Sequence, residues 1–229
     1  MFFSKKLKKF NNVNHCFFSK NGGVSHGIYN SLNCGLSSND KKKNVLKNLD
    51  IVSKKIGLHS KDLFTMNQTH SNKVVVINNS NRHTQRVNSD ALITKQKNIA
   101  ISVLTADCVP VLIYDEVNQI IASVHAGWKG ALSGIIENTL NEIIKIGKNN
   151  KINVAIGPCI NVNNYEVGNE FYNTFIQESK NNEKFFIFCK KNKFFFDLRR
   201  YVNSKVEKFE PNYVENIDFD TFSENKNFF

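Results

Sequence analysis

The sequence predicts a single domain of the α+β class. Three observations carry that expectation. Short runs rich in apolar and β-branched residues occur at 73–77, 99–104, 109–114, 120–125 and 151–156. Two segments, 40–56 and 131–146, instead place apolar residues at helical spacing. Neither an internal repeat nor a Pro- or Ser-rich linker divides the 229 residues, a length that suits one large domain.

Taken in order, residues 1–14 are basic and unpatterned, which suits a loosely held arm or a first edge strand. Residues 15–19 form a short strand candidate. Loops follow at 20–27, with three glycines, and at Asn33-Cys34-Gly35-Leu36. The helix over 40–56 carries Val45, Leu49, Val52 and Ile56 on one face, with Asp40 placed to cap its start and Gly57 to stop it. Asn67-Gln68-Thr69-His70 precedes the strand at 73–77, residues 78–89 are polar loop, and Asp90-Ala91-Leu92-Ile93-Thr94 leads toward the central stretch. That stretch, residues 99–130, contains three apolar runs; the second and third are joined by Asp115-Glu116-Val117-Asn118-Gln119, a connection of hairpin length. The helix over 131–146 has a stripe of Leu132, Ile135, Ile136, Leu140, Ile143 and Ile144 and ends at Gly147. A strand at 151–156 is closed by Gly157-Pro158-Cys159. Phe171, Phe175 and Ile176 recur at helical spacing, 185–188 and 194–198 form a hairpin pair, and a last helix runs from 199 to about 209.

Composition excludes several classes. With 41% hydrophobic residues and 19 phenylalanines the chain has material for a core and is not disordered. No apolar run approaches the roughly 20 residues that cross a bilayer, and the basic start is not followed by the apolar segment of a signal peptide. A cytoplasmic, membrane-free protein is expected. Five cysteines at 16, 34, 108, 159 and 189, with no CxxC pair, suit free thiols or a ligand rather than a disulfide framework. The net charge of +11 raises a nucleic-acid partner, but arginine occurs only at 82, 86, 199 and 200. A lysine-rich solvated surface explains the charge better, and its sign helps attract an anionic, phosphate-bearing substrate.

The chemically informative residues stand where apolar runs stop. Cys108 follows the turn-like Thr105-Ala106-Asp107, and His125 closes the third run before Ala126-Gly127-Trp128-Lys129-Gly130. With the distant His70 they offer one sulfur and two nitrogens, leaving a fourth position open on a zinc ion. The same atoms suit a thiolate–imidazolium pair for nucleophilic catalysis, or simply a buried cysteine and a satisfied core histidine. Spacing alone leaves all three readings open. His15, His59 and His83 suit surface roles, and His26 lies within the glycine loop. Trp128, the only tryptophan, can stack on an aromatic substrate or pack in the core. Gly127 to Gly130 open a helix whose amides, with Lys129, can receive an anion; capping explains the glycines equally well.

Asn67-Gln68-Thr69-His70, Thr105-Ala106-Asp107-Cys108-Val109-Pro110, His125-Ala126-Gly127-Trp128-Lys129-Gly130, Gly157-Pro158-Cys159 and Tyr165-Glu166-Val167-Gly168 occur together, in this order. The set resembles the YfiH/YlmD-like family, first labelled laccase-like polyphenol oxidase and later assigned purine nucleoside phosphorylase and adenosine deaminase activity. The resemblance covers residue 17 onward and implies an α/β/β/α sandwich of mixed sheets. It implies that His70, Cys108 and His125 bind a catalytic zinc, with copper the alternative, and that no separate organic cofactor is needed. The implied reactions are phosphorolysis of adenosine, inosine and 5′-methylthioadenosine and deamination of adenosine, by a monomer or homodimer. Lys129, Gly127 and Trp128 are the expected substrate contacts. The chain departs from the family pattern in two places. Asn48-Leu49 stands where many relatives carry Asn-Arg, and the sequence ends at Phe228-Phe229 where relatives continue into a basic tail. A tail that binds phosphate would, if lacking, shift activity toward hydrolysis.

Overall fold

A computed structural model describes residues 1–81 and 86–229; His83, expected at the surface, lies outside the described residues. In chain order the elements are α1 (Lys42–Lys55), β1 (Leu63–Phe64), β2 (Val74–Ile77), β3 (Ala91–Thr94), β4 (Ala100–Ile101), β5 (Val109–Asp115), β6 (Ile120–Ala126), α2 (Trp128–Leu132), α3 (Ile135–Ile146), β7 (Ile152–Ile156), β8 (Glu166–Gly168), α4 (Asn169–Glu178), β9 (Phe186–Lys190), β10 (Lys193–Phe196), α5 (Leu198–Glu207) and β11 (Tyr213–Asn216). The α+β expectation holds. A six-stranded mixed sheet runs β11-β7-β5-β6-β3-β2, beside a three-stranded sheet β8-β10-β9 and a two-stranded parallel pair β1-β4.

The large sheet buries both faces, which explains why β3, β5 and β7 read as almost unbroken apolar runs. On one face Val111, Ile113, Val124 and Val154 meet Ile135, Ile136, Leu140 and Ile143 of α3 and Tyr201, Val202 and Val206 of α5. Burying each aliphatic side chain of α3 stabilises the packing by roughly 1.5–3 kcal/mol. On the other face Leu112, Tyr114 and Ala155 meet Leu7 and Phe17, while Leu92 and Ile77 meet Met66 and Ile99. Among the described residues no helix is long and apolar enough to cross a membrane.

Several expectations are corrected. The arm at 1–14 is not loose: Phe2 bridges Phe17, Leu7 is 2% exposed, and the Glu215 carboxylate accepts bonds from the Ser4 hydroxyl and the Lys5 and Lys6 amides. That bridge is also all that forms of the strand at 15–19. The run at 99–104 pairs only through β4. The helix over 131–146 is two helices, because Gly134 takes a left-handed φ of 94° between α2 and α3. Asp40 does not cap α1; its carboxylate instead accepts bonds from Ser25 and Asn33. Asn48, fully buried on α1, accepts from the Val24 amide and donates to the carbonyls of Ser31 and Asn33, so it clamps the two glycine loops together. The strand β11 has no counterpart in the sequence reading.

Candidate metal centre

Antiparallel β5 and β6 set the site. Their register places Val109 opposite Ala126 and Pro110 opposite His125, so Cys108 and Gly127 emerge side by side where the ladder ends. His70 arrives from the loop before β2 and adopts φ 57°, a left-handed conformation that a non-glycine residue enters only when held.

Asp90 holds it. This carboxylate, fully buried just before β3, accepts bonds from the amides of Thr69, His70 and Ser71 at 3.2, 3.0 and 2.7 Å. The Ser71 hydroxyl donates to it at 2.7 Å, and it takes the Nδ1 of His125 at 2.8 Å. Burial works against its ionisation, but the bonds from His125 and Ser71 and the backbone amides outweigh that and hold its carboxyl well below the usual range. Asp90 thus fixes the backbone of one histidine and the tautomer of the other, leaving the Nε2 of His125 free. Gln68 adds a second tie. Its amide donates to the Leu104 carbonyl at 2.7 Å and accepts from the Leu104 amide at 2.8 Å, binding the His70 loop to the Cys108 loop.

The three expected ligands converge. One ligand atom each from His70, Cys108 and His125 lie within 4.8 Å of one another, and Cys108 Sγ stands 3.9 Å from His70 Nε2. Zinc bond lengths in a tetrahedron put sulfur and nitrogen about 3.6 Å apart, so a small adjustment completes the site. On the Gly127 side there is no space for a further side-chain atom. A Cβ at Gly127 would lie 2.7 Å from His70 Cδ2 and 3.0 Å from Cys108 Sγ. Burial pushes the pKa of His70 down, helped by His125, which favours the neutral imidazole a metal needs. Burial, with the charges of Asp107 and Asp90, pushes the Cys108 thiol up to about 11. A thiol raised in this way stays protonated without a cation, which disfavours a thiolate nucleophile.

The family model described as multi-copper polyphenol oxidoreductase laccase matches residues 14–229. The chain belongs to that family. It is 33% identical over 218 residues, 94% of its length and 82% of the relative's, to the purine nucleoside phosphorylase RP494 of Rickettsia prowazekii. Among solved structures it superposes on Neisseria meningitidis protein NMB0706 with a TM-score of 0.82 at 30% identity, covering 92% of this chain and 84% of the other. Bacillus licheniformis YfiH gives a TM-score of 0.84 at 28% identity, over the same shares. The expected YfiH/YlmD-like membership is therefore shown.

The remaining candidates fall out in position. His26 and His59 are exposed and apart from the cluster, and His15 accepts a bond from the Ser4 amide. Trp128 opens α2 and packs on Phe171 at 4.8 Å, while the Lys129 ammonium lies 5.4 Å from the Trp128 ring. Asp107, next to Cys108, accepts a bond from the Thr221 hydroxyl at 2.8 Å. Sequence reading missed Asp90 and the Gln68 clamp. The one signal for Asp90 was a carboxylate heading a strand with no other polar residue before Thr94.

Proposed function

We propose that the chain is a zinc-dependent purine nucleoside phosphorylase that cleaves adenosine, inosine and 5′-methylthioadenosine and also deaminates adenosine. The convergence of His70, Cys108 and His125 beside a carboxylate that holds the backbone of His70 and the ring of His125 carries this reading. Relatives named purine nucleoside phosphorylase supply the substrate class. The three residues would hold zinc, which when bound supplies a Lewis acid and lowers the pKa of a coordinated water. Asp90 keeps the His125 proton on Nδ1, so Nε2 remains a donor to the ion. Lys129, exposed beside Trp128, presents positive charge to an incoming phosphate, and the Gly127 amide lies at the same edge. The Trp128 ring offers one face to the base.

Two other readings fare worse. Several coppers need several donor sets, and among the described residues one group of His, Cys, Asp and Glu can hold a metal. A metal-free cysteine hydrolase needs an acidic thiol, and the Cys108 pKa moves the other way. The test is adenosine incubated with zinc-loaded protein, with and without phosphate, followed by chromatography. Adenine formed only with phosphate, accompanied by some inosine, is the expected result. No product in either case overturns the proposal.

A further inference from the structure

An aromatic row begins beside the metal cluster. Trp128, adjacent to the glycine that touches His70 and Cys108, packs on Phe171 at 4.8 Å; Phe171 meets Tyr165 edge-on at 6.0 Å. The row rests on two fully buried rings, since Phe171 stacks on Phe175 at 5.0 Å and Tyr165 meets Phe196 at 6.0 Å. Backbone bonds fix Tyr165 on both sides: its amide donates to the Val162 carbonyl, and the Phe196 amide donates to its own carbonyl. The segment leading to it is tied to the cysteine loop, because the Ile160 amide donates to the Asp107 carbonyl at 3.0 Å.

This side chain is a held ring with an unused polar tip. Among the described residues no group bonds its hydroxyl, whereas Tyr114, on the far face of the sheet, gives its own to Asn12 at 2.9 Å. A phenol with an ordinary pKa of about 10 is protonated at neutral pH and acts as a donor. An aromatic ring fixed beside a cluster of metal ligands, with a free O–H, fits a flat heterocycle whose ring nitrogens accept.

We propose that Tyr165 is a substrate contact, its phenol donating a hydrogen bond to a ring nitrogen of the purine. The inference rests on the nucleoside reading and names a group within it. In phosphorolysis the base leaves with the electron pair of its glycosidic bond, so charge builds on the ring nitrogens and the bond from Tyr165 strengthens in the transition state. No proton is transferred to the base in this step; the hydroxyl stays a donor throughout.

The test is Tyr165→Phe, which keeps the ring and its packing and deletes one oxygen that the protein itself does not use. We expect kcat on adenosine to fall about tenfold, the equivalent of one hydrogen bond, with KM moving much less. Zinc content and melting temperature should match wild type. Replacing ring nitrogen 7 or 3 by carbon supplies the second arm: one of the two deaza nucleosides should lose nothing further in the variant. Wild-type turnover with an unchanged Tyr165→Phe variant overturns the tyrosine while leaving the nucleoside reading intact, as does an equal loss on adenosine and both analogues. Failure of wild type to turn over any purine nucleoside defeats both.

Discussion

Replacing Asp90 by Asn changes one atom and tests the organisation of the site. In wild type one carboxylate oxygen takes His70 N–H and His125 Nδ1, and the other takes the amides of Thr69 and Ser71 and both their hydroxyls. An asparagine must turn its NH2 toward one of these sets. Hydroxyls can rotate to accept and the His125 ring can shift its proton to Nε2, but backbone N–H groups cannot accept, so the less costly orientation, NH2 toward the histidines, leaves the His70 N–H facing a donor. At about 1–3 kcal/mol for an unsatisfied buried group, the metal-free protein should lose about 1–3 kcal/mol. The loss includes the hold on His70, whose left-handed backbone would relax. Zinc affinity should fall about 10- to 100-fold, as for other partners that orient a ligating histidine. Urea unfolding of the apo protein and chelator competition for zinc measure the two effects separately. An Asp90→Asn variant within about 0.5 kcal/mol of wild type, a difference typical of surface sites, and with unchanged zinc affinity, would refute the reasoning.

Further outcomes follow from the same geometry. Gly127→Ala should weaken zinc binding and cut activity by about 100-fold, because the new methyl displaces His70 and Cys108 by several tenths of an ångström; metal retention on dialysis reads it. Lys129→Ala should raise the KM for phosphate while leaving apo stability within about 0.5 kcal/mol, which phosphate titration of the phosphorolysis rate detects. Asp115, fully buried, accepts bonds from the amides of Val117 and Lys151 and from Asn118 and Asn150; burial opposes its ionisation, but these bonds prevail and lower its pKa. Its stabilisation is therefore complete above the ordinary value of 3.8 and disappears as pH falls through that value toward the lower folded one. Asp115→Asn should be less stable than wild type at neutral pH, and the gap should close below about pH 4, as followed by urea midpoints across pH.

Strand periodicity marked Cys108 and His125 as residues at run ends, while the ligand set with His70 came from the family resemblance. The run ending in His125 and the run beginning after Cys108 are β6 and β5, whose antiparallel register brings their ends together. The partner that organises them was not legible, since Asp90 acts through backbone amides of residues 69–71, and no local pattern in the sequence encodes that loop's closure. The break between α2 and α3 is a different kind of miss: the apolar stripe continues across Ser133-Gly134, and only the sign of one φ separates the helices. Polar strand β11 pairs β7 in parallel at the sheet edge. Its side chains are exposed or half-buried, so it lacks the apolar signature that betrayed the central strands. The basic first residues read as an arm because Leu7 is a single buried anchor among lysines, and one anchor has no period.

Elemental analysis of the zinc-loaded wild type beside His70→Ala, Cys108→Ala and His125→Ala addresses the central claim most directly. The geometry predicts one zinc per chain in wild type and loss of tight binding in each variant. Folded variants that retain the full complement, or a wild type that takes up none, would contradict it.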